Sequence, residues 1–379
     1  MTQMSKILIV GAGFAGAVHA RILAEQGLHI DVIDRRPHIA GNAYDETDAN
    51  GIRIHRYGPH LFHTKNLAII EWLTQFAEFV PYQHKVRAKL PSGAHVPLPI
   101  NLDTVNAIFN TNLKTANEVA EHLARIAIPH PNPTNAADYL YANIGRDLTD
   151  LFFRPYTKKM WQFDLEDMAA AVVKRIPLRT DRTDTYFADD EHQMLPRNGY
   201  TALFERIFDH PNINVTTNIK FDPAMLADYD FCFNAMPIDE FFGSCFGELP
   251  YRSIRFHTRT TTNPTTPDWS VTNFTDADPL TRETTWHALP NHLVTETGRR
   301  TITAEEPCDY RDNAMERYYP VKTADDRYQP LYQQYRTLAE RDCPAMRFIG
   351  RCGTYQYLDM DQVINQSLIS ARKYLATRR

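Results

Sequence analysis

Arginine, lysine and aromatic side chains are concentrated in one stretch in the middle of the sequence. Residues 152–161 read FFRPYTKKMW, and residues 174–179 read KRIPLR a short distance later. Tryptophan and phenylalanine faces stack on planar bases, and an arginine guanidinium forms forked hydrogen bonds with phosphate oxygens. A site for a diphosphate nucleotide needs both groups. The same pattern is also typical of a solvated helix face with core aromatics, so the stretch alone leaves both interpretations open.

A glycine-rich turn near the N-terminus indicates a second kind of chemistry. The apolar run 6–10 leads into GAGFAG at 11–16, and a second apolar run ends at Asp34, about twenty residues after the glycines. Glycines at this spacing let the backbone approach a pyrophosphate at a helix N-terminus, and the carboxylate meets a ribose hydroxyl. The pattern therefore predicts a dinucleotide site rather than a purely structural turn.

The segment that follows Asp34 favours FAD over NAD. Residues 35–43 read RRPHIAGNA, a second small-residue turn directly after the acidic strand end, which is typical of tightly held FAD. The sequence carries one such fingerprint, whereas an enzyme that passes hydride from NAD(P)H to a flavin is expected to carry two. We therefore expect a flavin that is reduced by external means or used without net redox change.

Two histidines, His60 and His63, form a His-x-x-His pattern within GPHLFHT at 58–64. The pattern is a poor metal half-site, because no third ligand is identifiable nearby and HExxH is absent from the sequence, so no metal is predicted. Such a pair is often structural, but a histidine beside a flavin can also steer the protonation of the ring. The sequence has no GxSxG elbow and no Walker loop, so acyl transfer and P-loop chemistry have no support.

The elements that must position these residues follow an α/β pattern. Strands are predicted over residues 6–10 and 28–33, with a helix between them. Residues 101–170 are predicted to be mostly helical, with Asn135 or Thr134 as the cap of one helix. Further strands are predicted over residues 213–219, 251–262, 267–305 and 346–350, of which the second and third are antiparallel.

Composition excludes several classes of protein. The 379 residues are 43% hydrophobic and 23% charged, which is an ordinary globular composition, and this length predicts two to three domains around a large core. The net charge of −5 argues against general nucleic-acid binding. Five scattered cysteines without a CxxC predict a reduced, cytoplasmic chain. No apolar run is long enough to predict a membrane span.

Eight segments, taken in order along the chain, resemble the UDP-galactopyranose mutase family and cover essentially the whole sequence. They are GAGFAG (11–16), DRRPHIAGNAYD (34–45), GPHLFHT (58–64), RPYTKKMW (154–161), KRIPLR (174–179), PYRSIRF (250–256), YYP (318–320) and GTYQYLDMD (353–361). GTYQYLDM and RPYTKKMW are far more specific than the nucleotide fingerprint.

The resemblance implies an α/β fold with three parts. A discontinuous Rossmann-like FAD-binding domain carries an inserted helical bundle and an antiparallel β-sheet domain. We expect the FAD-binding domain over 1–75, 193–245 and 340–379, the helical domain over 104–172, and the sheet domain, which contacts substrate, over 76–103, 173–192 and 246–339. We also expect a homodimer or higher homo-oligomer that binds neither nucleic acid nor membrane.

The family interconverts UDP-galactopyranose and UDP-galactofuranose for cell-surface polysaccharide biosynthesis, using reduced FAD and no net oxidation. N5 of the flavin attacks C1 of the sugar and expels UDP, after which the sugar opens and closes through its other hydroxyl. The same ring contraction on another nucleotide sugar, and a flavin amine-oxidase-like oxidoreductase, remain as alternatives. A non-catalytic sensor is disfavoured because binding alone does not require both Arg175 and Arg282.

The resemblance also implies roles for single residues. The catalytic set contains two arginines that clamp the diphosphate and a histidine next to the isoalloxazine: Arg175, Arg282 and His63. The substrate set is aromatic: Phe152, Tyr156, Trp161, Tyr186, Tyr319 and Tyr357. The cofactor set combines the glycine turns with residues that face the flavin: Gly11, Gly13, Phe14, Ala15, Gly16, Asp34, Arg35, Gly41, Asn42, His60, Ile219, Arg351, Asp359 and Met360.

The sequence departs from the family pattern at four positions. Ala40 replaces the first glycine of the usual GGN, and Gln162 follows Trp161 where glycine is usual. Lys322 stands where the YYP segment usually continues to Asn, and Cys352 stands where Leu is frequent. Gln162 and Lys322 are predicted to reshape the base or sugar pocket, which bears on the identity of the nucleotide sugar and not on the reaction class.

Overall fold

The computed structural model of the protein describes residues 5–187, 190–262, 267–295 and 298–378. The strands in these ranges are β1 (Lys6–Val10), β2 (His29–Ile33), β3 (Asp45–Thr47), β4 (Arg53–His55), β5 (Phe62–Thr64), β6 (Phe79–Pro81), β7 (Val86–Lys89), β8 (His95–Leu98), β9 (His192–Pro196), β10 (Ile213–Thr216), β11 (Phe231–Asn234), β12 (Tyr251–Thr261), β13 (Val271–Phe274), β14 (Arg282–Thr285), β15 (Arg300–Asp309), β16 (Tyr319–Pro320) and β17 (Met346–Phe348).

The α-helices of the same ranges are α1 (Phe14–Ala24), α2 (Leu67–Leu73), α3 (Leu102–Phe109), α4 (Ala116–Ile126), α5 (Ala136–Leu148), α6 (Arg154–Trp161), α7 (Ala170–Lys174), α8 (Tyr200–Phe208), α9 (Ile238–Phe241), α10 (Gln329–Asp342), α11 (Gly350–Gly353) and α12 (Met360–Ala376). A π-helical turn, Thr149–Phe153, joins α5 to α6. Among the described residues, no helix combines the length and the apolar character that crossing a membrane requires.

A five-stranded parallel sheet follows the order β10-β2-β1-β11-β17. β1 lies at its centre, and Ile7, Leu8 and Ile9 have no exposed surface, as expected of a parallel strand covered on both faces. Helices α1 and α12 pack against each other beside this sheet. The arrangement confirms the predicted α/β class with a Rossmann-like sheet, which β1, β10 and β17 assemble from widely separated parts of the chain.

A second sheet of seven strands follows the order β16-β12-β15-β14-β13-β7-β8. Its pairs are antiparallel, as predicted for the region 251–305, except that β13 pairs with β7 in parallel through Val271 and Val86. The predicted antiparallel sheet therefore contains one parallel pair, because β7 comes from an earlier part of the chain and no hairpin joins it to β13. The domain boundaries stay a prediction.

The helical stretch predicted over residues 101–170 is confirmed as α3 to α6. Asn135 is the cap of α5, since its side chain accepts a hydrogen bond from the amide of Asp138. The end of α6 is attached to the seven-stranded sheet, because Nε of Arg252 donates to the Met160 carbonyl at 2.9 Å. This contact places Trp161, the last residue of α6, beside that sheet.

The strand predicted over residues 213–219 is shorter than expected. It ends at Thr216, and Asn218 then adopts a left-handed backbone with φ of 60°. The turn brings the amide of Ile219 within 2.9 Å of the Asp34 carbonyl. Ile219 therefore lies next to the end of β2, where the sequence places the ribose-binding carboxylate.

Two departures from the family pattern occupy positions where the backbone is left-handed. Ala40 has φ of 71°, and Gln162, which ends α6, has φ of 61°. A residue with a Cβ pays about 1–2 kcal/mol for this conformation, whereas glycine adopts it freely. The usual glycine at both positions thus has a conformational reason, and the residues found here strain the backbone.

We expect Gln162→Gly to raise the free energy of unfolding by about 0.5–1 kcal/mol, because relief of the strain exceeds the entropy that glycine loses on folding. Urea unfolding of the two proteins measures the difference. Lys158→Gly, inside the same helix, is the matched control and should lower the free energy by about 1 kcal/mol. Destabilisation by Gln162→Gly would contradict the strain.

Candidate active site

A cavity of about 500 Å³ gathers residues from the seven-stranded sheet, the strand β5, the helices α6 and α7, and the start of α12. All residues predicted for catalysis and for substrate binding line it: His63, Phe152, Tyr156, Trp161, Arg175, Tyr186, Arg282, Tyr319 and Tyr357. Four of the predicted cofactor residues line it as well: His60, Arg351, Asp359 and Met360. Its volume lies in the ordinary range for small-molecule sites.

Arg282 is held in place by an acidic residue on the neighbouring strand. In the β14–β15 ladder Arg282 lies opposite Glu305, and Nε of Arg282 is 2.9 Å from Oε1 of Glu305. Glu305 is 2% exposed, and its burial raises the pKa of the carboxyl while the guanidinium of Arg282 opposes that rise. The pair turns one edge of the guanidinium to the strand and leaves its other nitrogens for a ligand.

Arg175 is positioned differently, at the end of the short helix α7. Its Nη1 lies 3.8 Å from Oδ1 of Asp359, and its guanidinium lies 4.9 Å from the centre of the Tyr357 ring. Asp359 is also the N-cap of α12, and its backbone amide donates to the side-chain oxygen of Gln362 at 3.0 Å. The Arg175 side chain is 44% exposed, so this ion pair is weak and easily exchanged.

Aromatic rings lie beside both arginines in the cavity. The centre of the Trp161 ring lies 6.0 Å from the rings of Tyr319 and Tyr357, which stack on each other at 5.2 Å. Burial raises the pKa of Tyr156 to about 12 and also raises that of Tyr319, so these phenols keep their protons and can donate to an anion. The arrangement offers ring faces to a base and hydroxyl donors to a phosphate.

The two histidines of the His-x-x-His pattern differ in their contacts. Nδ1 of His63 lies 2.5 Å from Oδ2 of Asp190, and the His63 ring stacks on Phe187 at 3.7 Å between centres. Nδ1 of His60 donates to the Gly58 carbonyl at 2.9 Å, and burial lowers the pKa of His60 to about 4. In the part of the chain that the structure describes, no three His, Cys, Asp or Glu side chains group as metal ligands.

The remaining predicted cofactor residues lie together at the carboxyl end of the parallel sheet. They are Gly11, Gly13, Phe14, Ala15 and Gly16 at the β1–α1 turn, Asp34 and Arg35 after β2, Gly41 and Asn42 in the following 3₁₀ turn, and Ile219. Gly13 is the N-cap of α1 and has no side chain that could accept from the first amides of the helix. These amides are therefore left for another acceptor. Free amides at a helix N-terminus are suited to an anion, as the prediction of a pyrophosphate site at this turn requires.

The turn requires glycine at two positions because backbone approaches backbone there. A Cβ at Gly16 would lie 1.9 Å from the carbonyl oxygen of Gly11, and a Cβ at Gly41 would lie 2.9 Å from the Cα of Gly13. Asp34 supports the same turn, since its Oδ2 accepts from the amide of Ala12 at 2.8 Å. The predicted ribose contact would use the lone pairs that this bond leaves free.

The glycine turn and the cavity adjoin each other. An added Cβ at Gly350, the first residue of α11, would lie 3.0 Å from the Cβ of Ala15 in α1. Arg351 follows Gly350 and lines the cavity, where its guanidinium lies 5.3 Å from the Tyr319 ring centre. A ligand of dinucleotide length can therefore reach from the turn into the cavity.

Several residues at the site were missed from the sequence. Glu305 could have been noticed as an acidic residue in the strand-like segment ITAEE, and Tyr318 adjoins the predicted Tyr319. His84 and Asp190, which line the cavity, carry no signal in the sequence. Lys159 was read as part of a basic segment, but it is 9% exposed and its Nζ donates to the carbonyls of Phe274 at 3.1 Å and Leu280 at 2.8 Å.

The expected effect of Gln162 and Lys322 on the pocket is wrong. Neither residue is among those that line the cavity. Gln162 ends α6, and Nζ of Lys322 lies 5.2 Å from the ring centre of Tyr355, which is itself buried. Cys352 also lies outside the lining, where its thiol faces the Arg317 carbonyl at 3.7 Å. These departures therefore give no reason to assign a different sugar.

We expect stability to fall as the pH drops from 6.5 to 4. Burial lowers the pKa of His19 to about 4, that of His60 to about 4 and that of His84 to about 3, each from 6.5. In this window the unfolded chain binds more protons than the folded chain, so each such histidine removes about 1.4 kcal/mol per pH unit from the free energy of unfolding.

Urea unfolding at pH 7, 6 and 5 measures this dependence. His19→Gln is the sharp test, because it lies away from the cavity lining and a glutamine amide can replace the donor that His19 supplies to the Ala15 carbonyl. In this variant the free energy of unfolding should depend less steeply on pH, by the contribution of one bound proton. A slope equal to that of the unchanged protein would contradict the assignment.

Known proteins define the class to which this fold and site belong. Residues 9–76 match the model of the NAD(P)-binding Rossmann-like domain, and residues 151–357 match the model of the UDP-galactopyranose mutase family. The first match contains the glycine turn, and the second contains the cavity-lining arginines and tyrosines. The chain is an α/β enzyme built on a Rossmann-like nucleotide-binding domain.

Relatives that match along the full length of the chain identify its family. The chain is 34% identical to the probable UDP-galactopyranose mutase of Klebsiella pneumoniae over 98% of this chain and 95% of the relative. It is 33% identical to the dTDP-fucopyranose mutase of Escherichia coli over 98% and 99%. The crystal structure of reduced UDP-galactopyranose mutase has the same fold, with a TM-score of 0.78 at 16% identity over 99% of this chain and 96% of the other. The chain belongs to the UDP-galactopyranose mutase family and is an isomerase.

Proposed function

We propose that the protein interconverts UDP-galactopyranose and UDP-galactofuranose without net redox change, with reduced FAD as its cofactor. The observation that supports this most is the cavity itself, which two arginines on different elements, Arg175 and Arg282, line together with a set of aromatic residues. Burial raises the pKa of Tyr186, and the positive charges of Arg175 and Arg282 both oppose that rise. They therefore converge on one region of the cavity.

The residues of the chain fit FAD. The β1–α1 turn supplies amides for a diphosphate, and Asp34 lies at the end of β2 for a ribose. Arg36, which is paired with Glu316 at 2.6 Å, donates to Asn42 at 2.9 Å and so supports the neighbouring 3₁₀ turn. His60 and Arg351 line the cavity next to the turn and would hold the flavin end. When bound and reduced, FAD supplies the N5 nucleophile that takes the anomeric carbon from the departing nucleotide.

The chain contributes positioning and charge. As the bond between C1 and the diphosphate breaks, negative charge grows on the diphosphate oxygens, and Arg175 and Arg282 stabilise that charge. Tyr186, Tyr319 and Tyr357 line the same cavity and would donate hydrogen bonds to these oxygens, and the face of Trp161 would stack on the uracil. The same contacts would keep the diphosphate in the cavity between its departure from the sugar and its return, so that the nucleotide is not lost to solvent.

The test is direct. Protein reduced with dithionite is incubated with UDP-galactofuranose, and conversion to the pyranose is followed by chromatography beside an oxidised sample. We expect conversion by the reduced sample alone. Failure of the purified protein to take up FAD, or equal conversion by the oxidised sample, would overturn the proposal. Net consumption of oxygen with turnover would instead favour the amine-oxidase-like alternative.

A second substrate is favoured by one specific observation. The dTDP-fucopyranose mutase of Escherichia coli is as similar to this chain as the Klebsiella pneumoniae relative, at 33% and 34% identity. The same ring contraction on a dTDP-linked deoxyhexose is therefore the second candidate. Comparison of kcat/KM for UDP-galactopyranose and dTDP-fucopyranose under reducing conditions decides between the two, and the larger value identifies the substrate.

A further inference from the structure

Two histidines that the proposed chemistry does not use lie in contact behind the cavity. His55, at the end of β4, is 2% exposed, and His292 is 3% exposed. Their Nε2 atoms are 3.1 Å apart. Two ring nitrogens at this distance form a hydrogen bond, in which one carries the proton and the other accepts it.

The outer nitrogens of the two rings decide where the protons are. Nδ1 of His55 lies 3.0 Å from the amide of His60, and an amide N–H can only donate, so Nδ1 is unprotonated and the neutral ring carries its proton on Nε2. Nδ1 of His292 lies 2.9 Å from the Pro290 carbonyl, which can only accept, so this Nδ1 carries a proton and its Nε2 accepts from His55. One arrangement of protons satisfies all three bonds.

The last member of this chain of hydrogen bonds is His60, which lines the cavity. Nδ1 of His60 donates to the Gly58 carbonyl at 2.9 Å, so the neutral ring has an unprotonated Nε2. Burial lowers the pKa of His60 to about 4, which keeps the ring neutral near pH 7. Nε2 is the ring nitrogen left for a bound group, and it can only accept.

The site of the two histidines is enclosed by large side chains. The ring centre of His55 lies 5.1 Å from that of Trp286 and 5.5 Å from that of Tyr200, and both of these residues are buried. Loss of one hydrogen bond would therefore leave a buried polar group without a partner, which is costly in such surroundings.

We propose that His55 and His292 are positioning residues, which hold the His60 backbone so that its ring presents an unprotonated Nε2 to a donor group of the ligand in the cavity. The identity of that ligand, reduced FAD or the nucleotide sugar, rests on the proposed function. The arrangement of protons does not rest on it, because the protein alone fixes it.

The test compares His292→Leu, which removes the acceptor for His55, with His292→Gln, whose amide oxygen can still accept. NMR of ¹⁵N-histidine-labelled protein, with and without FAD, shows which ring nitrogens carry protons. At pH 7 we expect protons on Nε2 of His55 and on Nδ1 of His60 and His292. In His292→Leu the Nε2–H of His55 has no acceptor, so we expect the proton distribution of His55 to change, its bond to the His60 amide to weaken, and the ¹⁵N signals of the His60 ring to shift. In His292→Gln we expect the original pattern at both His55 and His60.

The FAD-loaded variants give two further readouts. In His292→Leu we expect kcat to fall at least about tenfold with little change in KM, as for other residues that orient a group in contact with ligand. We expect the ratio of reduced to oxidised FAD at a fixed potential to change about tenfold, which is about 30 mV for a two-electron couple. His292→Gln should restore both.

A proton on Nε2 of His60 in the unchanged protein would overturn the proposal. So would a folded His292→Leu with the original proton positions, potential and kcat. If His292→Leu does not fold, the proton positions in the unchanged protein and in His292→Gln decide. If the protein does not take up FAD, the proposed function fails, whereas the proton positions in the FAD-free protein still test the positioning role.

Discussion

Arg282→Met should lower kcat/KM by at least about 10²- to 10³-fold while FAD stays bound, because it removes a guanidinium from the point where the departing diphosphate gains charge. The same change should lower the free energy of unfolding by about 3–5 kcal/mol, since it leaves the carboxylate of Glu305 buried without its partner. Turnover by the reduced protein and urea unfolding measure the two effects.

The double variant Arg282→Met with Glu305→Gln separates catalysis from stability. It replaces the buried ion pair by two neutral side chains of similar size, so we expect the free energy of unfolding to recover most of its loss. Turnover should stay as low as in the single variant. Near-normal turnover in the double variant would contradict the proposed role of Arg282 in holding the diphosphate.

Arg175→Met should lower kcat/KM by about 10²-fold and leave the stability nearly unchanged. Its ion pair with Asp359 is long and half-exposed, and such pairs contribute about 0–1 kcal/mol. Arg182→Met is the matched control, because it removes the same charge and also an ion pair, with Asp103. Arg182 is 61% exposed and lies outside the cavity lining. Equal turnover in the two variants would show that Arg175 does not stabilise the departing diphosphate.

The contrast between the two arginines follows from what holds them. Arg282 pairs with a buried carboxylate across a β-ladder, so its removal disturbs the core of the sheet. Arg175 ends a five-residue helix and pairs with a carboxylate that already caps α12, so both its neighbours keep their structure without it. Kinetics and stability should therefore change together for Arg282 and separately for Arg175.

The parallel sheet and its glycine turn could be predicted because their signals are local. The apolar run of β1, the glycines of 11–16 and Asp34 follow one another within a single β-α-β unit, where each residue contacts near neighbours in the chain. Arg175, Tyr156, Tyr319 and Tyr357 could be predicted through their motifs, each of which is likewise a short continuous segment.

Contacts between distant strands could not be predicted. The partner of Arg282 depends on the register of β14 and β15, and a shift by one residue would turn Glu305 to the other face of the sheet. The parallel pairing of β13 with β7 likewise has no local signal. The strained backbone of Gln162 was visible in the sequence only as a missing glycine, and its φ was needed to explain it.

The attachment of Lys159 to the strand connection between β13 and β14 has a consequence for how this protein can vary. The ammonium group binds the Phe274 and Leu280 carbonyls, which bracket a connection whose residues 277–279 are exposed. Exchanging those exposed side chains leaves both acceptors where they are. An insertion beside Leu280 would displace one of the two acceptors and weaken the attachment of α6, with Trp161, to the strand that begins at Arg282. Natural variation here should consequently alter residue type and conserve loop length.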